Sequence, residues 1–139
     1  MNHNFKELLI IDDDFCHNIT CALALKKVFR SSEVHMTCFT NSEEGLSYIM
    51  QLAVSSKKTV LFLDINMPGL NGWQVLARLE QLPKASKKHL HVYIITTAAN
   101  MRDEYRASKS PLVKQYLQKP LSKHLHSIFT GQSLQLSVA

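Results

Sequence analysis

The stretch Val60-Leu61-Phe62-Leu63-Asp64-Ile65-Asn66-Met67-Pro68-Gly69-Leu70-Asn71-Gly72 constrains the fold more than any other part of the chain. Four consecutive apolar residues suit a strand covered on both faces, as inside a parallel sheet. The run ends at a carboxylate, and Pro68, Gly69, Asn71 and Gly72 then impose a loop. Asp64 is thereby expected at the carboxyl end of a buried strand, the edge at which open α/β sheets bind their ligands. An aspartate held there by turn residues is placed to do chemistry.

The same pattern recurs along the chain. Leu8-Leu9-Ile10-Ile11 is a second apolar run that ends in acid, Asp12-Asp13-Asp14. A helical pattern follows, in which Phe15, Ile19, Ala22-Leu23 and Val28-Phe29 are expected to pack on the sheet. Asp14 suits its N-cap, and Lys26, Lys27 and Arg30 suit its negative C-terminal end. Residues 34–39 read as an edge strand. Asn41 or Ser42 caps a second helix, with Glu43 and Glu44 in its first turn and Leu46, Ile49, Met50 and Ala53 inward. A third helix over 73–82 turns Trp73, Val75, Leu76 and Leu79 inward and stops at Pro83. Residues 90–95 form a fourth strand ending in Thr96-Thr97. A short polar helix over 101–108 precedes a fifth strand over 113–118, which Lys119-Pro120 ends. Ser122 is expected to cap a last helix reaching about Phe129, with Gly131 stopping it and 130–139 a loose tail. Strand and helix alternate five times, and right-handed crossovers then predict a doubly wound α/β protein with a parallel sheet.

Composition narrows the class. The 139 residues, 45% hydrophobic, suffice for one domain over 1–139 with its core at about 6–129. No run approaches the roughly 20 apolar residues of a membrane span. The first residues lack an apolar signal core, so a cytoplasmic protein is expected. Cys16, Cys21 and Cys38 are odd in number and form no C-x-x-C pair, which predicts reduced, mostly buried thiols. His89, His91, His124 and His126 lack a third ligand at sensible spacing and read as ordinary histidines. Residues 1–56 carry 4 basic and 7 acidic side chains, net −3, and residues 57–139 carry 12 and 4, net +8. The basic half reads first as solvated surface, next as a face for an acidic protein, and least as one for nucleic acid.

Four strands end in polar groups at one edge: Asp12 and Asp13, Asp64, Thr96 and Lys119. Carboxylates crowded there repel one another and raise each other's pKa values unless a cation sits among them. Oxygen-only donors suit Mg²⁺ (or Mn²⁺), which takes carboxylates, water and a phosphoryl oxygen. A nearby lysine and hydroxyl can hold the other oxygens of a phosphoryl group.

Ile10-Ile11-Asp12-Asp13, Leu63 to Gly69 with Asn71-Gly72, Ile95-Thr96, and Tyr116-Leu117-Gln118-Lys119-Pro120 together resemble the receiver domain of two-component response regulators. The likeness runs from about Lys6 to Phe129. It implies a flavodoxin-like (βα)5 fold with strand order 2-1-3-4-5. Asp64 then looks like the phosphoacceptor, taking a phosphoryl group from a phosphohistidine of a sensor histidine kinase or phosphotransfer protein. Asp12 and Asp13 resemble the acidic pair that positions Mg²⁺, with Asp64 and the Asn66 backbone carbonyl as further ligands. Lys119 would pair with Asp64 or its phosphate, and Pro120 resembles the family's cis proline. Thr96 looks like the switch hydroxyl, although Thr97 stands where the family often has alanine and the two threonines can exchange roles. Tyr116 matches the aromatic that moves with that switch, and reads equally as a core aromatic. Gly72 is expected to end the loop with a backbone angle closed to other residues.

The implied function is a phosphorylation-switched signalling module, not an enzyme, with no output domain on this chain, since only about ten residues follow the last helix. It either binds a downstream target protein, dimerises on phosphorylation, or passes the group onward in a relay. A pseudo-receiver that binds without phosphorylation is the alternative, and it usually lacks an acid or the lysine. Aspartyl phosphatases resemble Asp-x-Asp after a buried strand; here Asn66 stands where their proton donor would be.

Overall fold

Alternation of side chains along three apolar strands divides the interior into two cores. The computed structural model describes residues 5–29 and 34–130. Its sheet is built from β1 (Glu7–Ile11), β2 (His35–Phe39), β3 (Thr59–Asp64), β4 (Leu90–Thr96) and β5 (Val113–Gln118). All neighbours are parallel, in the order β2-β1-β3-β4-β5. The helices are α1 (Phe15–Val28), α2 (Ser42–Val54), α3 (Gly72–Leu79), α4 (Lys84–Lys87), α5 (Met101–Ser108) and α6 (Leu125–Thr130), with a 3-10 turn at Leu121–Lys123. The doubly wound, flavodoxin-like arrangement expected from the sequence is present.

Leu9, Ile11, Leu61, Leu63, Val92 and Ile94 face α2, α3 and α5 and pack with Leu46, Ile49, Val75, Leu76 and Leu79. Leu8, Ile10, Val60, Phe62 and Ile95 face the other way, onto Cys21 and Leu25 of α1, Leu121, and Leu125 of α6. Phe5, Phe29, Phe62 and Phe129 close the end of this second core, with ring centroids 4.9–6.1 Å apart. Asp12 and Asp64 continue the alternation of Ile10 and Phe62, so both carboxylates fall on the side of the sheet that α1 covers.

Several expectations need correction. The first part of the apolar stripe of α1 does not pack on the sheet: Phe15, Ile19 and Leu23 are 66%, 45% and 58% exposed and Asn18, Cys21 and Leu25 face inward, whereas Val28 and Phe29 at its end join the core as expected. In α2, Met50 is exposed, and Gly45 joins Leu46 and Ile49 on the buried face. Asn41, not Ser42, caps that helix, accepting from the Glu44 N–H. The third helix ends at Leu79 rather than 82, and the lysine-rich segment after Pro83 forms the one-turn α4. Ser122 lies within the 3-10 turn, whose start has no side-chain cap. Only Cys21 of the three free thiols is buried; Cys16 and Cys38 are exposed. Arg30, Gly131 and the tail beyond Thr130 lie outside the described residues.

Gly72 departs from expectation in an instructive way. The left-handed angle of this loop belongs to Gly69, with φ +73°. Gly72 is needed for space: a Cβ there would stand 2.4 Å from the Asp64 carbonyl oxygen and 2.7 Å from the Ile65 Cα. Its N–H donates to the Ile65 carbonyl at 2.8 Å, which draws α3 hard against the end of β3. Gly72→Ala is therefore expected to destabilise the fold by about 2–3 kcal/mol through overpacking against backbone. Gly69→Ala, where a Cβ would meet only the Ser42 Oγ at an unstrained 3.8 Å, is expected to cost about 1 kcal/mol of backbone strain. Urea unfolding of the two variants measures the order, and equal losses would contradict this account.

Candidate phosphoacceptor and metal site

β1 delivers Asp12 at the point where its ladder ends, and the Asp12 N–H still donates to the Phe39 carbonyl at the end of β2. The carboxylate is then held from three directions. The Asp14 N–H donates to Oδ1 at 2.9 Å, while the Lys119 ammonium and His17 Nδ1 each lie 2.7 Å from Oδ2. Asn18 donates its side-chain amide to the Asp12 carbonyl at 2.8 Å. Asp14 meanwhile caps α1 through His17 N–H, as its position predicted.

β3 delivers Asp64, buried at 4% exposure. Its Oδ2 lies 3.4 Å from the Lys119 ammonium, and its Oδ1 accepts a long bond from the Asn66 N–H at 3.4 Å. The loop is anchored by a capping box at Asn71, which accepts from Gln74 N–H while its own N–H donates to the Gln74 side chain. Asp13 is exposed, yet Asp12, Asp13 and Asp64 each offer an oxygen within 4.8 Å of the others. Asn66 is exposed beside them.

Lys119 reaches this rim from the end of β5, where its N–H donates to the Thr96 carbonyl at 2.8 Å and its peptide bond to Pro120 is cis. Thr96 is buried at the end of β4 and its hydroxyl accepts from the Ala98 N–H at 3.2 Å, whereas Thr97 is exposed. Tyr116 is half-buried, and its hydroxyl accepts from the Asn100 N–H at 3.2 Å, at the start of α5. The structure thus brings Asp12, Asp13, Asp64 and Lys119 to one edge, with Thr96 in the adjoining loop and Tyr116 behind it.

The lysine is shared unequally, and the two acids respond oppositely. Burial pushes Asp64 up, the Asp12 charge adds to this, and Lys119 only partly offsets it, leaving Asp64 at about 7. Burial also works against Asp12, but hydrogen bonds from His17, Lys119 and the Asp14 N–H outweigh it and lower Asp12 to about 2. Burial would lower Lys119, but its bond to Asp12 prevails and raises it. Three carboxylates thus face one ammonium. Oxygen donors with excess negative charge are the chemistry of a hard divalent cation, so these residues fit Mg²⁺ or Mn²⁺.

His17 and Asn18, which hold Asp12, were not singled out from the sequence. Their signal was position: five and six residues beyond an acid at a strand end, within the first turn and a half of the following helix.

Comparison with known proteins places the fold. The response regulator receiver domain family matches residues 8–128. A two-component response regulator from Cytophaga hutchinsonii superposes with a TM-score of 0.78 at 23% identity, over 93% of this chain and 97% of that one. A response regulator receiver protein from Dyadobacter fermentans gives 0.70 at 22%, over 89% and 98%. The Mn(2+)-bound form of response regulator Rcp1 gives 0.66 at 19%, over 89% and 94%. At these identities the superpositions speak to the fold alone. No curated protein matches the sequence. A doubly wound, parallel five-stranded sheet with three acids and a lysine converging at its carboxyl edge is the class of domain that the fold and the site define. The chain belongs to the response regulator receiver domain family.

The two acids make stability depend on pH in opposite senses. Asp64 titrates near 3.9 when unfolded and about 7 when folded, so between these values the folded form holds the extra proton and stability falls as pH rises. The contribution of Asp12 is present above about 4 and is lost as pH falls toward 2. Asp64→Asn is therefore expected to stabilise the metal-free protein at pH 8, on the order of 2 kcal/mol, with the gain vanishing near pH 4. Urea unfolding at the two pH values measures it. A variant less stable than the parent at pH 8 would refute the charge argument.

Proposed function

We propose that this receiver domain takes a phosphoryl group onto Asp64 from a phosphohistidine of a sensor histidine kinase or phosphotransfer protein, in the cytoplasm, and thereby switches its affinity for a downstream protein. The observation that carries this reading is the Lys119 ammonium held between Asp12 and Asp64, 2.7 and 3.4 Å away, beside a third acid at the same rim. An ionised Asp64 oxygen attacks phosphorus; the P–O bond forms as the P–N bond breaks, and the donor imidazole leaves, taking its proton from water.

Asp12, Asp13 and Asp64, with the Asn66 carbonyl, would hold Mg²⁺ or Mn²⁺, which supplies charge neutralisation for the transferring oxygens. Lys119 turns from Asp12 toward the new phosphoryl oxygens. Thr96, of the two threonines, is the switch hydroxyl: it exchanges the Ala98 N–H for a phosphoryl oxygen and draws the loop after β4 inward. Tyr116, bonded to Asn100 in that loop, moves with it and alters the α5–β5 face.

The histidine-bearing partner must approach the rim where Asp64 opens. Beside that rim α1 presents Phe15, Ile19 and Leu23, an apolar face that a solvated helix would not carry. We assign this face to the phosphodonor.

Acetyl phosphate with Mg²⁺ is expected to add one phosphoryl group, labile to hydroxylamine, and none after Asp64→Asn; intact-mass spectrometry reads the outcome. A parent protein without mass gain would favour a binding module that works without phosphorylation. Ile19→Glu is expected to leave uptake from acetyl phosphate unchanged while slowing transfer from a phosphorylated histidine protein at least tenfold, about 1.4 kcal/mol of docking energy. Equal slowing with both donors would place the α1 effect in the site itself.

A further inference from the structure

His17 belongs to neither the acids nor the lysine, yet its side chain bonds Asp12 on one side and the loop after β5 on the other. Its side chain is 8% exposed. Nδ1 lies 2.7 Å from Asp12 Oδ2, and Nε2 accepts the Leu121 N–H at 3.1 Å, across 104 residues of sequence. A backbone amide can only donate, so Nε2 is bare and the ring proton sits on Nδ1, donated to Asp12. The Cys21 sulfur, one helical turn on and fully buried, touches the ring at 3.4 Å from Nε2 and limits its rotation.

Both ends of this bridge matter to the site. Leu121 is fully buried in the core under α1 and α6, so its N–H needs an acceptor; the preceding Pro120 has no N–H to help fix the loop. Lys119 stands just before that proline. At the other end, Asp12 has about four lone-pair directions, and the Asp14 N–H, the Lys119 ammonium and the His17 N–H take three of them. One direction is left, so Asp12 can give one bond to a cation or its water, in an orientation that the imidazole and the Asp14 amide set together.

We propose that His17 is a positioning residue of the metal site, which orients Asp12 toward the cation and ties that acid to the Lys119-Pro120-Leu121 loop. The inference rests on the reading of Asp12, Asp13 and Asp64 as metal ligands. Partners of this kind, bonded to a ligating carboxylate, commonly change metal affinity by about 10–100-fold when removed. His17 also divides into two functions that single substitutions separate. Asn presents its amide N–H where Nδ1 stands and keeps the bond to Asp12. Gln reaches as far as Nε2 and can accept from Leu121, but offers nothing to Asp12.

The test is calorimetric Mg²⁺ titration of the full chain and its His17→Asn, His17→Gln and His17→Ala variants, with circular dichroism and urea unfolding in parallel. His17→Gln and His17→Ala are expected to bind Mg²⁺ about tenfold more weakly, and His17→Asn within about threefold of the parent. In the parent, long-range ¹H–¹⁵N spectra are expected to show the proton on Nδ1, a readout that needs no variant to fold. Unchanged Mg²⁺ affinity in His17→Gln and His17→Ala, equal loss in Asn and Gln variants, or a proton on Nε2 would overturn the proposal while leaving the metal reading intact. A parent chain that takes up no Mg²⁺ would overturn both.

Discussion

One buried ammonium between two buried carboxylates is the interaction on which the arrangement depends. Lys119 lies 2.7 Å from Asp12 and 3.4 Å from Asp64, and Asp13 adds a third negative charge at the surface of the same cluster. Taking such groups from water is costly unless every lone pair and proton finds a partner. Asp12 is almost fully satisfied by its donors; Asp64 is not, having one long contact to the lysine and one long bond from Asn66. The fold therefore concentrates its electrostatic deficit on a single side chain, Asp64. Strained charge of this kind is characteristic of functional sites and is seldom left in a purely structural core.

Parity and topology put the groups there. The side chains of Asp12 and Asp64 continue the rows of Ile10 and Phe62, and β1 and β3 are paired neighbours in register, Ile10 opposite Phe62. Lys119 is brought in by the Thr96 carbonyl, which accepts its N–H and so aligns the ends of β4 and β5. Each of these placements was legible in the sequence because a strand buried on both faces leaves an unbroken apolar run, and the first polar residue after it marks the edge. Turn residues after Asp64 and the Lys-Pro step after β5 carried the rest.

What was not legible follows from the same site. The inward face of α1 is Asn18, Cys21 and Leu25 because its first turns lie over the acid cluster, where polar groups must satisfy Asp12. Phe15, Ile19 and Leu23 lie on the outer face, and a periodicity argument that sends these three inward selects the wrong side. Gly72 illustrates a second limit. A glycine in a loop suggests a special backbone angle, but whether it is wanted for angle or for space depends on which backbone it meets, here Asp64 and Ile65. His17 illustrates a third, since its partner Leu121 lies at the far end of the chain and no local pattern connects them.

The basic second half of the chain looks different once its contacts are counted as chemistry. The Arg106 guanidinium lies 4.3 Å from the Trp73 ring centroid, joining α5 to the helix that starts where the Asp64 loop ends. Lys109 covers the Tyr105 ring, Lys87 donates to the Glu80 carbonyl, and Lys119 is committed to the acids. A row of phosphates needs cations free to form a continuous positive track. These four cations, stacked on aromatic rings, tying off a helix end or paired with acids, act within the fold. The Arg106–Trp73 contact has a further consequence. It ties α5 to the first residues of α3, the helix whose start Gly72 draws against the Asp64 carbonyl, so the end of β3 and the helix beyond β4 share one packed contact.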